Sequence, residues 1–248
     1  MTIGAKILNR GTSNSVNTMS DNIVYVVGGN SWVPSYVSLY SLLRNNPTRG
    51  FKIHIFSEEE KNDFFFNNIP FLKNVHDEFK ISFHRISEQE YNKLPSPRKK
   101  RLPKGFFIKI ILPKILDTNC ESFLYLDADT LIVDEIDALM ELDINDYVLA
   151  AAPDYNNLIA GLNTDLKKRY FNAGVLKINP EKWEKNEVTS KTIRYIKKII
   201  RIWMTRLLLM QCYTVSMQLK LFLQNIIYPA AGLLVRLQHL ETGLRIQL

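Results

Sequence analysis

The chain has 248 residues, 46% of them apolar and 23% charged, with a formal net charge of +7. Those proportions suit a globular domain and exclude a collagen-like, low-complexity or wholly disordered chain. The charge does not mark a nucleic-acid binder: of 32 basic and 25 acidic residues, five basic and one acidic fall after Lys198, leaving a net of +3 before it.

Two cysteines, Cys120 and Cys212, are too few for a disulfide framework and show no metal-ligand spacing, which favours a reducing compartment. Residues 1–20 are polar and rich in Ser, Thr and Asn, with no apolar core of signal-peptide length; they read as a disordered leader. Asn22–Gly29, "NIVYVVGG", reads as a buried parallel strand ended by paired glycines. Ser35–Asn46 carries Val37, Leu39, Leu42 and Leu43 at helical spacing and stops before Pro47. Phe51–Ser57 and Phe79–Ile86 read as the next two strands. Pro97–Lys104, "PRKKRLPK", is a basic run that suits phosphates, an anionic membrane surface or an import receptor, and equally a solvated loop between prolines. Gly105–Asp117 reads as a helix. "SFLYLDAD", Tyr147–Asp154 and Tyr170–Asn179 read as further strands.

Strands alternating with helices, several of the strands apolar throughout, predict an α/β domain with a mostly parallel sheet flanked by helices. No apolar run in residues 21–198 approaches the ~18 residues that a membrane span needs. Ligands of such sheets bind beyond the carboxyl ends of the strands, where Gly28–Gly29, Asp127, Asp129 and Asp154 fall.

Asp127 and Asp129 close an otherwise apolar strand, and burying a carboxylate unpaired is costly. Strand alternation predicts both on one side, across the small Ala128. Two convergent carboxylates repel unless a cation lies between them, and Mg²⁺ or Mn²⁺ with oxygen ligands and substrate phosphates suits that geometry. On the tripeptide alone, a plain strand-end turn is an equal reading.

The wider context is more specific. "YLDADTLIVDEIDALMELD", followed downstream by "YFNAGVLKINPEKW", resembles glycosyltransferase family 8, the retaining GT-A group. The resemblance runs from about Asn22 to Lys198 and includes the opening strand, "LPKGFFIKIILPKIL" and "AAAPD" in the family's order. It implies a Rossmann-like GT-A fold over residues 21–198. It also implies transfer of glucose or galactose, with retention, from a UDP-sugar to a glycan or lipid-linked saccharide acceptor, as in lipopolysaccharide biosynthesis. No nucleic acid is expected as a partner. The implied setting is cytoplasmic, with peripheral contact at the inner face of a membrane.

The resemblance also implies roles. Asp127 and Asp129, with Ala128 between them, hold Mn²⁺ (or Mg²⁺) against the donor diphosphate. Asn30 lies near the nucleoside, and Lys109 lies near the phosphates where the family usually has arginine. Asp154 and Asn172 bond the donor sugar's hydroxyls, and the Ala173–Gly174 backbone permits close approach. Two departures stand out. Gly28–Gly29 replace an acidic residue that faces the nucleotide, and lysine at 109 lacks arginine's bidentate fork.

Residues 199–248 differ in character, with twelve leucines, five glutamines and one acid. The resemblance implies an Asp-Gln-Asp-like helix here, then a metal-binding histidine and a phosphate-closing segment. His239 is the one histidine present and lacks that flanking sequence. The codons of Trp203-Met204-Thr205, TGG-ATG-ACN, contain GAT-GAC when regrouped by two bases, which forces two adjacent aspartates. The expectation is therefore a frameshifted tail and impaired transfer. At face value, Leu207–Ile227 reads instead as an amphipathic membrane-surface helix. Two rival functions are a nucleotide-sugar binder or degenerate product without turnover, and a haloacid-dehalogenase-type phosphatase using Asp127 as nucleophile.

Overall fold

The computed structural model describes residues 21–94, 107–116, 119–153, 171–205 and 246–247, the side chains of 199–205 and 246–247 excepted. The leader, the basic run Pro97–Lys104, Asp154 and residues 206–245 lie outside the described residues.

The strands are β1 (Asp21–Val26), β2 (Phe51–Ser57), β3 (Phe79–Arg85), β4 (Phe123–Leu126), β5 (Leu131–Ile132), β6 (Leu149–Pro153), β7 (Phe171–Ile178) and β8 (Ile246–Gln247). The helices are α1 (Trp32–Asn45), α2 (Asp63–Asn67), α3 (Ile69–Leu72), α4 (Glu88–Lys93), α5 (Ile108–Ile115), α6 (Asp137–Met140), α7 (Pro180–Lys185) and α8 (Val188–Thr205). Six strands form one sheet in the order β3-β2-β1-β4-β7-β6, and β5 pairs with β8. Neighbours from β3 to β4 run parallel, whereas β7 is antiparallel to both β4 and β6. The expected mostly parallel, helix-flanked α/β sheet is the observed one.

The central strand β4 is apolar and buried throughout because both sheet faces are covered there, whereas edge strand β3 keeps Lys80 and Arg85 exposed. Ile23, Tyr25, Leu124 and Leu126 pack with Leu39, Leu42 and Leu43 of α1 on one face. Val24, Phe123, Tyr125 and Leu176 pack with Ile111, Trp183, Val188 and Ile196 of α5, α7 and α8 on the other.

Two differences from the sequence reading have local causes. Helix α1 begins at Trp32, ahead of the predicted Ser35, because Pro34 sits in the first turn, where no intrahelical N–H is needed. Strand β4 ends at Leu126, and Asp127–Thr130 form a turn closed by the Thr130 N–H donating to the Asp127 carbonyl at 3.1 Å. A turn, and not strand alternation, presents the two aspartates.

Polar side chains at the end of α1 fasten the segment after that turn. Ser41 Oγ accepts from the Ile132 N–H at 3.0 Å. Asn45 Nδ2 donates to the Ile132 carbonyl at 2.9 Å, and buried Asn46 accepts from the Ile136 N–H at 2.8 Å. Arg49 adds ion pairs to Asp21 and Asp137 at 2.6 and 2.7 Å. Four of these five contacts reach Ile132–Asp137 and thus fix where the chain runs after the Asp127–Thr130 turn.

Candidate active site

The chain runs outward from β1 to β3 and then crosses back to place β4 on the other side of β1. The carboxyl ends of β1 and β4 therefore flank the sheet's topological switch point, where crevices form in open α/β sheets. Because β7 is antiparallel, its amino end lies there too: the Asp127 N–H donates to the Gly174 carbonyl at 2.7 Å. Asn172, Ala173 and Gly174 are thus brought beside Asp127, although they lie far along the chain.

Asp127 is half-buried and its Oδ1 is engaged twice. Lys109, from the first turn of α5, pairs with Oδ1 at 3.1 Å and donates to the Ala173 carbonyl at 3.3 Å. The same ammonium lies 4.8 Å from the centroid of the Tyr125 ring, within cation–π reach. The Tyr125 hydroxyl also donates to Asp127 Oδ1. Burial, then the Asp127 charge and hydrogen bond, then the Asp129 charge, push the Tyr125 phenol well above its ordinary pKa, so it remains a donor. Asp129 is solvent-exposed on the turn, and Ala128 is buried between the two.

Asn172 Oδ1 accepts from the Gly174 N–H at 2.6 Å, a local turn bond. Its carbonyl is therefore committed, and its amide N–H donors are what it offers a ligand. Asn30 is exposed in the 3₁₀ turn Gly29–Ser31 that follows β1. The structure thus gathers Asn30, Lys109, Asp127, Ala128, Asp129, Asn172, Ala173 and Gly174 at one end of the sheet.

Two residues escaped the sequence reading. Tyr125 precedes Asp127 by two positions, at the end of the strand that leads into the turn, and its nearness in sequence was a signal that was available. Glu59 gave none, since it lies in the loop after β2. Its Oε1 accepts from the Gly29 N–H at 2.8 Å and its Oε2 from the Trp32 indole N–H at 2.9 Å. A carboxylate thus reaches the end of β1, where Gly28–Gly29 replace an acid, but it comes from the neighbouring strand. Gly29 has φ +56°, a left-handed conformation that favours glycine.

A divalent cation fits the residues present. Asp127 Oδ2 and the Asp129 carboxylate have no hydrogen bond among the described residues. Two hard oxygen donors left without such bonds, on a half-buried and an exposed carboxylate, suit an ion whose other ligands are phosphate and water. No group of three His, Cys, Asp or Glu that would hold a metal occurs among the described residues.

A mostly parallel α/β sheet with a carboxylate pair at its switch point puts the candidate site where ligands bind in such sheets. The chain belongs to glycosyl transferase family 8, whose profile matches residues 22–224. The match extends beyond Lys198, where the sequence reading ends the resemblance. Family membership leaves no place for the phosphatase reading of the same strand.

Among curated proteins, the chain is 28% identical over 170 residues to a putative glycosyltransferase of Haemophilus influenzae, covering 65% of this chain and 49% of that protein. It is 26% identical over 177 residues to a lipopolysaccharide 1,2-glucosyltransferase of Escherichia coli, covering 69% and 51%. The chain therefore spans about half the length of these relatives. The crystal structure of the galactosyltransferase LgtC with donor and acceptor sugar analogues superposes with a TM-score of 0.60 at 18% identity, over 80% of this chain and 70% of that one. This likeness establishes the shared GT-A fold.

Proposed function

We propose that the chain transfers glucose or galactose, with retention of configuration, from a UDP-sugar to a glycan or lipid-linked saccharide. The observation that carries this reading is the gathering of Lys109, Asp127, Asp129 and Asn172–Gly174 at the switch point of a family 8 sheet. The lipopolysaccharide glucosyltransferase among the relatives supports a lipid-linked acceptor, and with it peripheral contact at the inner face of a membrane. Among the described residues, no helix is long and apolar enough to cross one.

In this reading Asp127 and Asp129 hold Mn²⁺ or Mg²⁺, which when bound offsets the charge that develops on the departing diphosphate. Lys109 brings a fixed positive charge to the same place, already oriented by Asp127 and the Ala173 carbonyl. Tyr125 holds Asp127 through Oδ1, which leaves Oδ2 facing outward. Asn172 donates from its amide to a sugar hydroxyl, and Asn30 lies towards the nucleoside. Asp154 is assigned to a second sugar hydroxyl on the resemblance alone. None of these residues is assigned as a nucleophile.

A second reading is nucleotide-sugar binding without turnover. It accords with the proposal that the segment after Lys198 is written in a shifted frame, which rests on the codon argument and is tested by resequencing the gene. The functional test is UDP release from UDP-glucose and UDP-galactose with Mn²⁺ and with chelator. Transfer predicts metal-dependent release that Asp129→Asn abolishes while the fold persists. A thermal shift with Mn²⁺ and UDP but no release establishes the binder instead.

A further inference from the structure

On the sheet face opposite α1, helices α4, α5 and α8 border a groove of about 550 Å³. Its floor is apolar, with Ile111 and Ile115 from α5 and Ile193 from α8. Its rim is cationic, with Lys93 from α4, Lys114 from α5, and Arg194 and Lys197 from α8. The arrangement follows from helix spacing: residues three and four apart share a face, so Ile111, Lys114 and Ile115 point together, as do Ile193, Arg194 and Lys197.

None of these four cations has an ion pair among the described residues. Glu90 is the one acid on the rim, and it is committed to capping α4, accepting from the Ser87 N–H at 3.3 Å and the Ser87 hydroxyl at 2.9 Å. The segments that follow α4 and α8 in the sequence add little counter-charge, although Glu184 and Glu187 lie on the far side of Lys114. Residues 95–106, which join α4 to α5, add five Lys and Arg and no acid, and residues 206–245 contain one acid, Glu241. Like charges crowded round an apolar floor call for a partner whose negative charge adjoins hydrocarbon. Phospholipids have that chemistry, whereas nucleic acid and acidic glycans supply the charge without the hydrocarbon.

We propose that this groove is the face by which the protein docks on an anionic phospholipid membrane. The isoleucines meet acyl carbons and the four cations meet headgroup phosphates. Helix α8 has the composition of an interfacial helix, with Lys191, Arg194, Lys197 and Lys198 among Ile193, Ile196, Ile199 and Ile200. The inference fixes a face for membrane contact and does not depend on turnover.

The test is co-sedimentation of the full chain with vesicles of phosphatidylcholine, and with vesicles that also contain phosphatidylglycerol. Binding is expected on the anionic vesicles alone, weakening as salt rises. Each cation at an anionic surface contributes about fivefold, so Lys114→Glu with Arg194→Glu is expected to weaken binding by at least ~25-fold. Undiminished binding by that variant, or equal wild-type binding to both vesicle types, overturns the proposal. If the variant does not fold, amine labelling of the wild type decides. Anionic vesicles are expected to shield Lys93, Lys114 and Lys197 but not Lys61 and Lys73 near α2 and α3, and equal shielding overturns it. UDP release is read in neither measurement, so the docking and transfer readings fail separately.

Discussion

Replacing Asp127 in two ways separates its structural work from its chemical work. Asp127→Ala leaves the buried Tyr125 hydroxyl without its acceptor, which costs about 1–3 kcal/mol. It also removes the carboxylate that Lys109, 15% exposed, pairs with at 3.1 Å, while the Ala173 carbonyl remains as a partner. Breaking a fully buried pair costs about 3–5 kcal/mol, and Asp127 is 37% exposed, so a smaller share applies. Together the loss is about 3 kcal/mol, or a fall in melting temperature of roughly 6–12 °C for a domain of this size. Asp127→Asn keeps an oxygen towards Tyr125 and loses mainly the charge, so a fall of about 2–4 °C is expected. Differential scanning fluorimetry of both variants, with and without Mn²⁺ plus UDP, reads both roles. Wild type is expected to gain stability with ligand, about 2.7 kcal/mol at a hundredfold excess over Kd, and Asp127→Asn to lose the metal-dependent part. Equal destabilisation by the two variants refutes the account of the Tyr125–Lys109 cluster. A full Mn²⁺ response in Asp127→Asn refutes Asp127 as a metal ligand.

Three further outcomes are expected. Burial, then His84 and Lys52, hold His54 down at a pKa of about 4 against an ordinary 6.5, so the unfolded chain binds the extra proton first. Stability is therefore expected to fall as pH drops from 6.5 towards 4, by about 1–2 kcal/mol at pH 5, and to level off below; urea titrations of wild type and His54→Gln measure the difference. Thr192 is fully buried and its hydroxyl has no partner among the described residues, so Thr192→Val is expected to stabilise by about 1 kcal/mol in chemical denaturation. Glu59→Ala frees the Gly29 N–H and the Trp32 indole N–H; calorimetry is expected to show UDP binding weakened by roughly tenfold, about 1.4 kcal/mol.

The sheet was largely legible because its strands are short β-rich runs bounded by turn residues: Phe51–Ser57, after Gly50, was predicted and observed with the same bounds. The two-residue β5 and the four-residue α3 and α6 have too few positions to show a period, so they passed unread. In the candidate site, Asp127 and Asp129 were found by motif, but their presentation was not. A turn and a strand end spell alike, and what ends β4 is the Thr130-to-Asp127 bond. The clasp of Tyr125 and Lys109 on one oxygen depends on packing α5 against β4, a contact between segments that local pattern does not encode. Glu59 shows the same limit: a feature looked for at the end of β1 is supplied from the loop after β2.

The direction of β7 has a consequence for how such a protein diversifies. Pro153 and Phe171 are partners in the β6–β7 ladder, so the two ends that flank the seventeen intervening residues are held side by side, on the strand whose Gly174 carbonyl bonds the Asp127 N–H. Lengthening a connection whose ends are already clamped together costs little, about 0.6 kcal/mol per doubling. Evolution can therefore rewrite that connection while the metal-side residues, held by α1, α5 and β4, stay where they are.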